Sequence, residues 1–432
     1  MRYLPKARWR EDNMDLVIEG RFYIDGELKE TSVGIEDGKI ITIGKLVRGG
    51  DERVVLENKV ILPGFVDPHV HFREPGMTQK EDFASGTMSA LFGGVTGIID
   101  MPNTKPPTVD VSTFMDKKRE VRSKAFVDYG LFAALTPDCN VELLTPHVAA
   151  FKLFMGSTTG NILMNDDDEI SYLMGDIARS GKVLSVHAED DSMILRDREE
   201  NNWDHLKNRP VEAELNAVRR LSKYKGMKVN ICHVTDPRTA DMAASCGFTT
   251  EVTMHHMMFA AEDVIGTEYK VNPPIREAAI RDALVKAVMA GKLSMFGSDH
   301  APHTQTEKMQ DYQSAPGGMI GVETTVPMLM EMFRKGRFPL DLLVRMGSET
   351  PASRFGMNKG KIAVGYDADF AVFDMHSVRR ISADDLHSKA GHTAYEGMEA
   401  IFPDTVIVRG NIQVQDEEFC GEPVGVDYVE HT

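Results

Sequence analysis

Short runs of apolar residues alternate with amphipathic stretches through the middle of the chain. The runs have the length of buried strands, and the stretches between them place apolar residues at the spacing of one helix face, as in 82–92 and 276–290. Eight strands are predicted in this way, at 60–72, 97–101, 127–133, 149–155, 183–188, 228–234, 249–254 and 294–298. Eight strand–helix units over about 250 residues predict an α/β fold of the TIM (β/α)8 barrel type. A doubly wound open sheet is the alternative, disfavoured because no GxGxxG follows the first strand.

Both ends of the chain follow a different pattern, with short alternating runs and tight turns. Asp25-Gly26 and Asp37-Gly38 are hairpin signals near the N-terminus, and 405–411 is a strand with a turn at Gly410-Asn411. We therefore expect a small β-sandwich domain built from both termini. The predicted domains are 1–58 and 359–432 for the two parts of this β domain and 59–358 for the barrel, with a polar extension at 1–13.

Composition narrows the classes of partner. The chain has 432 residues and a net charge of −17, which argues against nucleic acid and anionic membranes and leaves a small-molecule substrate. Its four cysteines form no CxxC pair, which is typical of free thiols in the cytoplasm. No apolar run approaches the roughly 18 residues of a membrane span. We expect a cytoplasmic protein and a homo-oligomer, a dimer in the simplest case.

Chemically active side chains cluster after the predicted strands, where barrel enzymes carry their active sites. His69 and His71 lie two apart, so they leave the first strand on one side and can hold one metal ion. Arg73 has the same parity, and a guanidinium there can bind a carboxylate through two parallel hydrogen bonds. Comparable positions after or within later strands hold Asn103, Lys152, His187, His233, His255, His256, Asp299 and His303. For His255 and His256, lining the pocket and packing remain equally open.

These residue types suit hydrolysis or formation of an amide bond. Four imidazoles and one aspartate are suitable zinc ligands: His69, His71, His187, His233 and Asp299. Two zinc ions bridged by hydroxide would activate water and polarise the carbonyl, while Asp299 would move the proton as general acid and base. Lys152 is flanked by apolar residues, which favours its neutral amine. That amine can take up carbon dioxide, and the resulting carbamate can bridge the two metal ions.

Seven motifs together resemble the dihydroorotases, cyclic amidohydrolases of the amidohydrolase superfamily: GFVDPHVHFREPG, MPNTKPPT, FKLFMGSTTGN, VHAED, VNPPIR, GSDHAPH and GGMIGVET. The resemblance covers nearly the whole chain. It implies two Zn²⁺ per subunit, held by His69, His71, carboxylated Lys152, His187, His233 and Asp299. It also implies substrate contacts from Arg73, Asn103, Asn272, His303 and a backbone amide of the 316–318 turn, assigned to Gly318. The implied reaction is the reversible closure of N-carbamoyl-L-aspartate to L-dihydroorotate with loss of water, in pyrimidine biosynthesis.

Three other functions share the predicted metal ligands. A dihydropyrimidinase (hydantoinase) or an allantoinase acts on a ring without a carboxylate, which leaves Arg73 without a purpose. A non-catalytic scaffold with the same barrel would be expected to lose ligands, whereas all six are present here. Arg73 therefore favours a substrate that carries an acid group.

Overall fold

The computed structural model describes residues 14–158 and 162–430, so the predicted polar extension at 1–13 lies outside the described residues. Within those ranges the strands are β1 (Leu16–Ile24), β2 (Glu27–Glu36), β3 (Lys39–Gly44), β4 (Glu52–Pro63), β5 (Phe65–Val70), β6 (Val95–Asp100), β7 (Asp128–Ala134), β8 (Ala150–Phe154), β9 (Val183–His187), β10 (Val229–Ile231), β11 (Thr249–Val252), β12 (Met295–Phe296), β13 (Phe370–Phe373), β14 (Arg379–Arg380), β15 (Glu399–Ala400), β16 (Thr405–Val408), β17 (Asn411–Gln415) and β18 (Glu418–Phe419). The helices are α1 (Phe83–Phe92), α2 (Val111–Val121), α3 (Val141–Leu144), α4 (Asp167–Ser180), α5 (Asn202–Asn208), α6 (Val211–Leu221), α7 (Pro237–Ser245), α8 (Met254–Met258), α9 (Ala278–Met289), α10 (Gln305–Lys308), α11 (Thr325–Arg334), α12 (Leu340–Val344) and α13 (Thr350–Phe355).

The barrel prediction is confirmed. Strands β5 to β12 pair in chain order as one parallel sheet of eight strands, and helices lie between most of them. The sheet closes where the His71 N–H donates to the His300 carbonyl at 2.8 Å, beside a parallel bridge between Val70 and His300. All eight predicted barrel strands have a counterpart, so the carboxyl ends of the strands meet on one face.

The termini form a second sheet, as the sequence predicts. Its strand order is β18-β17-β16-β13-β4-β1-β2-β3, so the predicted β-sandwich takes the form of one continuous eight-stranded sheet. Apolar side chains from both ends of the chain meet in its core, where Phe22 packs edge-on against Phe370 at 5.8 Å between ring centroids. The domain boundaries at 58/59 and 358/359 stay a prediction.

Two local predictions are wrong. Residues 60–63 belong to β4 of the terminal sheet, and the first barrel strand begins only at Phe65. Gly64 separates the two sheets, because its N–H donates to Asp369 and a Cβ atom there would lie 2.2 Å from the Thr96 hydroxyl oxygen. The hairpin between β16 and β17 turns at Arg409 and Gly410, both with positive φ, one residue before the predicted position.

A buried ion cluster joins the terminal sheet to the barrel. The Lys359 ammonium lies 2.7 Å from Asp128, 3.7 Å from Asp367 and in direct contact with Asp369. Asp128 begins β7, so this Lys359 cluster lies at the end of the barrel opposite the carboxyl ends of the strands. None of the helices in the described part of the chain is long and apolar enough to cross a bilayer.

Candidate metal centre and substrate pocket

A pocket opens at the carboxyl ends of the barrel strands. It is lined by His69, His71, Arg73, Asn103, Lys152, Phe154, Thr158, His187, His233, Asn272, Asp299, Ala301, Gly317 and Gly318. Ten of the eleven side chains or backbone positions predicted for the site are in this lining. Residues from six of the eight strand ends, together with Asn272 from the segment between β11 and α9, therefore converge on one cavity, as the strand assignments require.

One half of the site joins the first and the last barrel strand. The Nε2 atoms of His69 and His71 lie 3.3 and 3.1 Å from Oδ1 of Asp299. Asp299 has a φ of +48°, a left-handed conformation that turns its side chain into the cavity. Burial alone would raise the pKa of Asp299, but the charge of His69, whose own pKa is raised to about 10, outweighs it and holds the pKa of Asp299 well below its usual value. The carboxylate is therefore ionised at neutral pH.

The other half pairs two imidazoles from neighbouring strands. His187 follows β9 and His233 follows β10, and Nδ1 of His187 lies 3.0 Å from Nε2 of His233. Burial lowers the pKa of both imidazoles. Neutral imidazole is the form that binds metal, so desolvation prepares both side chains as ligands.

The outward nitrogens of three histidines are held by partners that fix their tautomers. Nδ1 of His69 lies 2.8 Å from a Glu251 carboxylate oxygen, and Nδ1 of His71 lies 2.6 Å from the Asn103 amide oxygen. His187 uses its other nitrogen for this contact, because its Nε2 lies 2.9 Å from a Glu189 carboxylate oxygen. These hydrogen bonds leave Nε2 of the first two rings and Nδ1 of His187 facing the cavity, where a metal ion can displace any proton they carry.

Sequence reasoning missed Glu251 and Glu189. Glu251 is a fully buried carboxylate in β11, and an acid within a predicted barrel strand was the available signal. Glu189 lies in the VHAED motif two residues after His187, and Arg209 holds it from the other side at 2.7 Å. Arg209 and His187 outweigh the effect of burial and lower the pKa of Glu189 far below its usual range. Both acids therefore hold an imidazole of the pocket from behind, and neither lines the pocket itself.

Lys152 lies at the bottom of the pocket within β8. Its side chain is buried, its Nζ lies 3.0 Å from the Cys232 sulfur, and it lies 5.2 Å from the centre of the Phe154 ring. The apolar flank expected from the sequence is thus partly an aromatic face and a thiol. Cys232 was not singled out in the sequence, although it immediately precedes His233.

The donor set fits a divalent metal of the zinc type. Ligand atoms of His69, His233 and Asp299 lie within 4.8 Å of one another. Burial lowers the pKa of His71 to about 3, so its Nε2 lone pair faces the Asp299 carboxylate without a proton between them. Two acceptors at this distance repel each other unless they share a cation. Nitrogen and carboxylate ligands in this arrangement are those that Zn²⁺ takes in proteins.

Arg73 is the cation on the substrate side of the pocket. Its buried guanidinium donates through Nε to the Pro302 carbonyl at 3.1 Å, and burial lowers its pKa to about 10, so it stays charged at neutral pH. Across residues 14–158 and 162–430, Arg73 has no carboxylate at ion-pair distance. Asn272 lies nearby in the lining, and its buried amide oxygen has no hydrogen-bond partner within the same ranges. A planar, charged donor and an unused amide therefore face the same cavity.

Two predicted substrate contacts have a different place. His303 does not line the pocket; its Nδ1 accepts from Lys80 at 3.1 Å, which leaves Nε2 to donate to the Gly317 carbonyl at 3.1 Å beside Arg73. Gly318 does line the pocket, but its N–H donates to the Lys270 carbonyl at 2.8 Å. The Gly318 N–H is therefore already used within the protein, and the substrate contact of a backbone amide in 316–318 stays a prediction.

His255 and His256 pack behind the pocket. His256 contacts the Thr253 hydroxyl at 2.8 Å through Nδ1 and the Pro273 carbonyl at 3.0 Å through Nε2. Burial lowers the pKa of His255 to about 4, and its Nε2 has no hydrogen-bond partner in the described chain. The sequence left open whether these rings line the pocket or pack, and the structure supports packing for both.

Comparison with known proteins agrees with this geometry. A model of the amidohydrolase family matches residues 60–412. A dihydroorotase of Thermoplasma acidophilum is 37% identical over 96% of this chain and 98% of its own length, and one of Methanosarcina mazei is 36% identical over 93% and 94%. The chain belongs to the dihydroorotase family of amidohydrolases.

Solved structures similar to this dihydroorotase-family chain are hydantoinases. An L-hydantoinase (dihydropyrimidinase) from Arthrobacter aurescens superposes with a TM-score of 0.89 at 26% identity, covering 95% of this chain and 99% of that one. A dihydropyrimidinase from Brevibacillus agri gives 0.85 at 27% identity, with 96% and 98% covered. Dihydroorotases and hydantoinases thus share this architecture, and the chain is a hydrolase that acts on cyclic amide bonds.

Proposed function

We propose that this protein catalyses the reversible closure of N-carbamoyl-L-aspartate to L-dihydroorotate, with release of water, in pyrimidine biosynthesis. The curated relatives named dihydroorotase support this function over nearly the full length of the chain. The observation that carries it is Arg73, a buried guanidinium in the pocket lining with no carboxylate partner in the described residues.

Arg73 separates this function from that of the hydantoinases. An unpaired buried charge is unfavourable, and a ligand carboxylate would pair with it through two parallel hydrogen bonds. Dihydroorotate and carbamoyl aspartate both carry such a group, whereas the rings of dihydropyrimidine, hydantoin and allantoin do not. The unused Asn272 oxygen beside it can accept from a ring N–H.

We propose that two zinc ions occupy the centre. The Nε2 atoms of His69 and His71 would hold one and the inward nitrogens of His187 and His233 the other, with Asp299 and a carboxylated Lys152 completing the set. When bound, zinc lowers the pKa of water to near neutrality and polarises a carbonyl. Lys152 would form its carbamate by adding carbon dioxide to the neutral amine with release of one proton.

Asp299 is the proposed general acid and base. Its pKa lies well below the usual value, so it enters the reaction as a carboxylate beside the cavity. In ring opening it would accept the proton of the attacking water and deliver it to the ring nitrogen that leaves. In ring closure the same proton would travel the opposite way. Arg73, Asn103 and Asn272 would meanwhile fix the substrate at the other side of the cavity.

A spectrophotometric assay tests this function directly. Protein loaded with zinc is expected to open L-dihydroorotate and to close carbamoyl aspartate, with little turnover of dihydrouracil, hydantoin or allantoin. Preference for an uncharged ring would assign the chain to the hydantoinase activity instead. Two zinc ions per chain without turnover of any of these substrates would indicate a scaffold. Homo-oligomerisation and a cytoplasmic location stay predictions, and light scattering measures the first.

A further inference from the structure

Lys308 lies beneath the 316–318 turn, which lines the pocket through Gly317 and Gly318. Its side chain is buried, and its Nζ donates to three backbone carbonyls, those of Lys270 at 3.3 Å, Pro316 at 3.1 Å and Gly318 at 3.0 Å. An ammonium has three donors and no acceptor. The hydrogen-bonding capacity of Lys308 is therefore used up by the backbone, and two of its three bonds hold this turn.

These bonds fix the direction of one amide in the turn. The Pro316–Gly317 peptide bond is trans, so the Gly317 N–H points opposite to the Pro316 carbonyl and hence away from Lys308. Behind the turn, the Gly317 carbonyl accepts from His303 and the Gly318 N–H donates to Lys270. Gly317 itself faces the cavity, where a Cβ atom would lie 3.2 Å from the Asn272 amide. Pro316 has no N–H and the Gly318 N–H is bonded, so the Gly317 N–H is the remaining backbone donor of the turn beside the cavity.

The backbone of Lys308 is itself anchored. It ends α10, whose first turn is capped by Thr304 and Glu307 in a reciprocal pair of hydrogen bonds. Glu307 also forms an ion pair with Lys80 at 2.8 Å, and Lys80 donates to His303. The short helix and the His303 side chain therefore form one connected support under the turn.

The end of the pocket beside the 316–318 turn suits an anionic ligand. No carboxylate lies at ion-pair distance from the Lys308 Nζ in the described parts of the chain, and burial together with Lys270 lowers the pKa of Lys308 to about 7. Arg73 lies near the same turn through His303 and likewise has no carboxylate partner there. Arg73 therefore supplies a buried charge at the end of the pocket that this turn lines, and an acid group bound there would compensate it.

We propose that Lys308 is a positioning residue for the substrate carboxylate. It holds the 316–318 turn so that the Gly317 N–H donates to that carboxylate opposite Arg73. This inference rests on the proposed function, because it needs a substrate with an acid group. It replaces Gly318 by Gly317 as the backbone donor and assigns substrate affinity to a lysine that does not line the pocket.

A graded series of variants tests the proposal. K308Q keeps up to two of the three donors and K308M keeps none, so KM for dihydroorotate should rise in the order wild type, K308Q, K308M. The expected rise is about tenfold or more for K308M, the size of one lost hydrogen bond to a charged group, with kcat within about twofold of wild type. Binding of orotate, measured by calorimetry, should weaken in the same order without any turnover being needed.

The matched control is K359M, which removes another buried lysine from the opposite end of the barrel. It should lower the melting temperature while leaving KM and orotate binding at wild-type values. Equal KM values across the Lys308 series, or a fall in kcat as large as the rise in KM, would overturn the positioning role. If K308M does not fold, the K308Q values alone decide. Absence of dihydroorotate turnover in the wild-type protein would instead refute the proposed function, which separates the two failures.

Discussion

The two ends of the barrel each bury a cluster of ionisable side chains, and the clusters differ in how completely they are paired. At the closed end, opposite the carboxyl ends of the strands, Lys359 lies between three aspartates. Every side chain of this cluster has an opposite charge within 3.7 Å. At the open end, where the pocket lies, the Nε2 lone pair of His71 faces the Asp299 carboxylate, and Arg73 has no acid partner in the described chain. A fully paired buried cluster ties elements together, whereas an incompletely paired one needs ligands to complete it.

The same contrast is visible in the pKa values. Burial would lower the pKa of Lys359, but Asp128 and Asp369 outweigh it and raise the pKa above its usual value. The stability from this lysine is therefore complete below its unfolded pKa of about 10.4 and is lost only as the pH rises through the higher folded pKa. At the metal centre, burial lowers the pKa of His187 and His233, which keeps the rings free for a cation.

The largest expected effect comes from D299A at the open end. It should lower turnover about a thousandfold or more in both directions, because one side chain supplies both a ligand and the proton transfer. The melting temperature of the metal-free protein should change little. Dihydroorotate and carbamoyl aspartate assays measure the first effect, and a thermal scan measures the second. Retention of a tenth of the wild-type rate would remove Asp299 from the mechanism.

K359M is the counterpart at the closed end. Three buried aspartates would lose their cation, so the free energy of unfolding should fall by about 3–5 kcal/mol. Urea denaturation measures this loss, and kcat and KM measured on the remaining folded protein should match wild type. A K359M protein with normal stability but altered KM would contradict the division of roles between the two ends.

R73M sharpens the comparison within the pocket. This variant lacks the charged donor that would pair with the substrate carboxylate. Its KM for dihydroorotate should rise about a hundredfold, the equivalent of about 2.7 kcal/mol, while kcat falls less. Any measurable turnover of dihydrouracil or hydantoin should be less affected, because these rings have no carboxylate. Initial-rate kinetics on both kinds of substrate provide the test. An equal loss on charged and uncharged rings would mean that Arg73 acts on structure and not on specificity.

Much of this arrangement could be predicted from the sequence, because it follows from local patterns. The parity of His69 and His71 and the polar residues after each strand placed the ligands on one face. The split between β4 and β5 was missed because Gly64 interrupts an apolar run without changing its hydrophobic pattern. Glu251 was missed because its partner His69 is 182 residues away in the chain, and no local pattern encodes that contact.

The role of Lys308 was hidden for a similar reason. Its hydrogen-bond partners are backbone carbonyls, including that of Lys270, which is 38 residues away in the chain. Every residue has a backbone carbonyl, so the residue types do not reveal such contacts. The bond of the Gly318 N–H was hidden in the same way, since only the folded chain shows that this N–H donates to the Lys270 carbonyl. Residue types thus predicted which side chains line the pocket, but the groups that orient them required the three-dimensional contacts.

The smallest expected effect concerns the orientation of one ligand. Glu251 accepts from His69 through one oxygen at 2.8 Å and from the Asn230 amide through the other at 2.5 Å. In E251Q the new amide oxygen must face the Asn230 NH₂, so its own NH₂ faces His69 and favours the tautomer with a proton on Nε2. Zinc affinity should fall about tenfold, the lower end of effects from such supporting residues.

A second substitution should reverse this loss. In the double variant E251Q/N230D, the aspartate accepts from the glutamine NH₂, and the glutamine oxygen can again accept from His69 Nδ1. Ser185 can still contact this position because its hydroxyl can donate to the new carboxylate, 3.3 Å from the present Asn230 nitrogen. Competition with a chromophoric chelator measures zinc affinity in all three proteins. Tighter zinc binding by the double variant than by E251Q would establish that the open end depends on the direction of one hydrogen bond, whereas weaker binding would show that it needs the charge of Glu251.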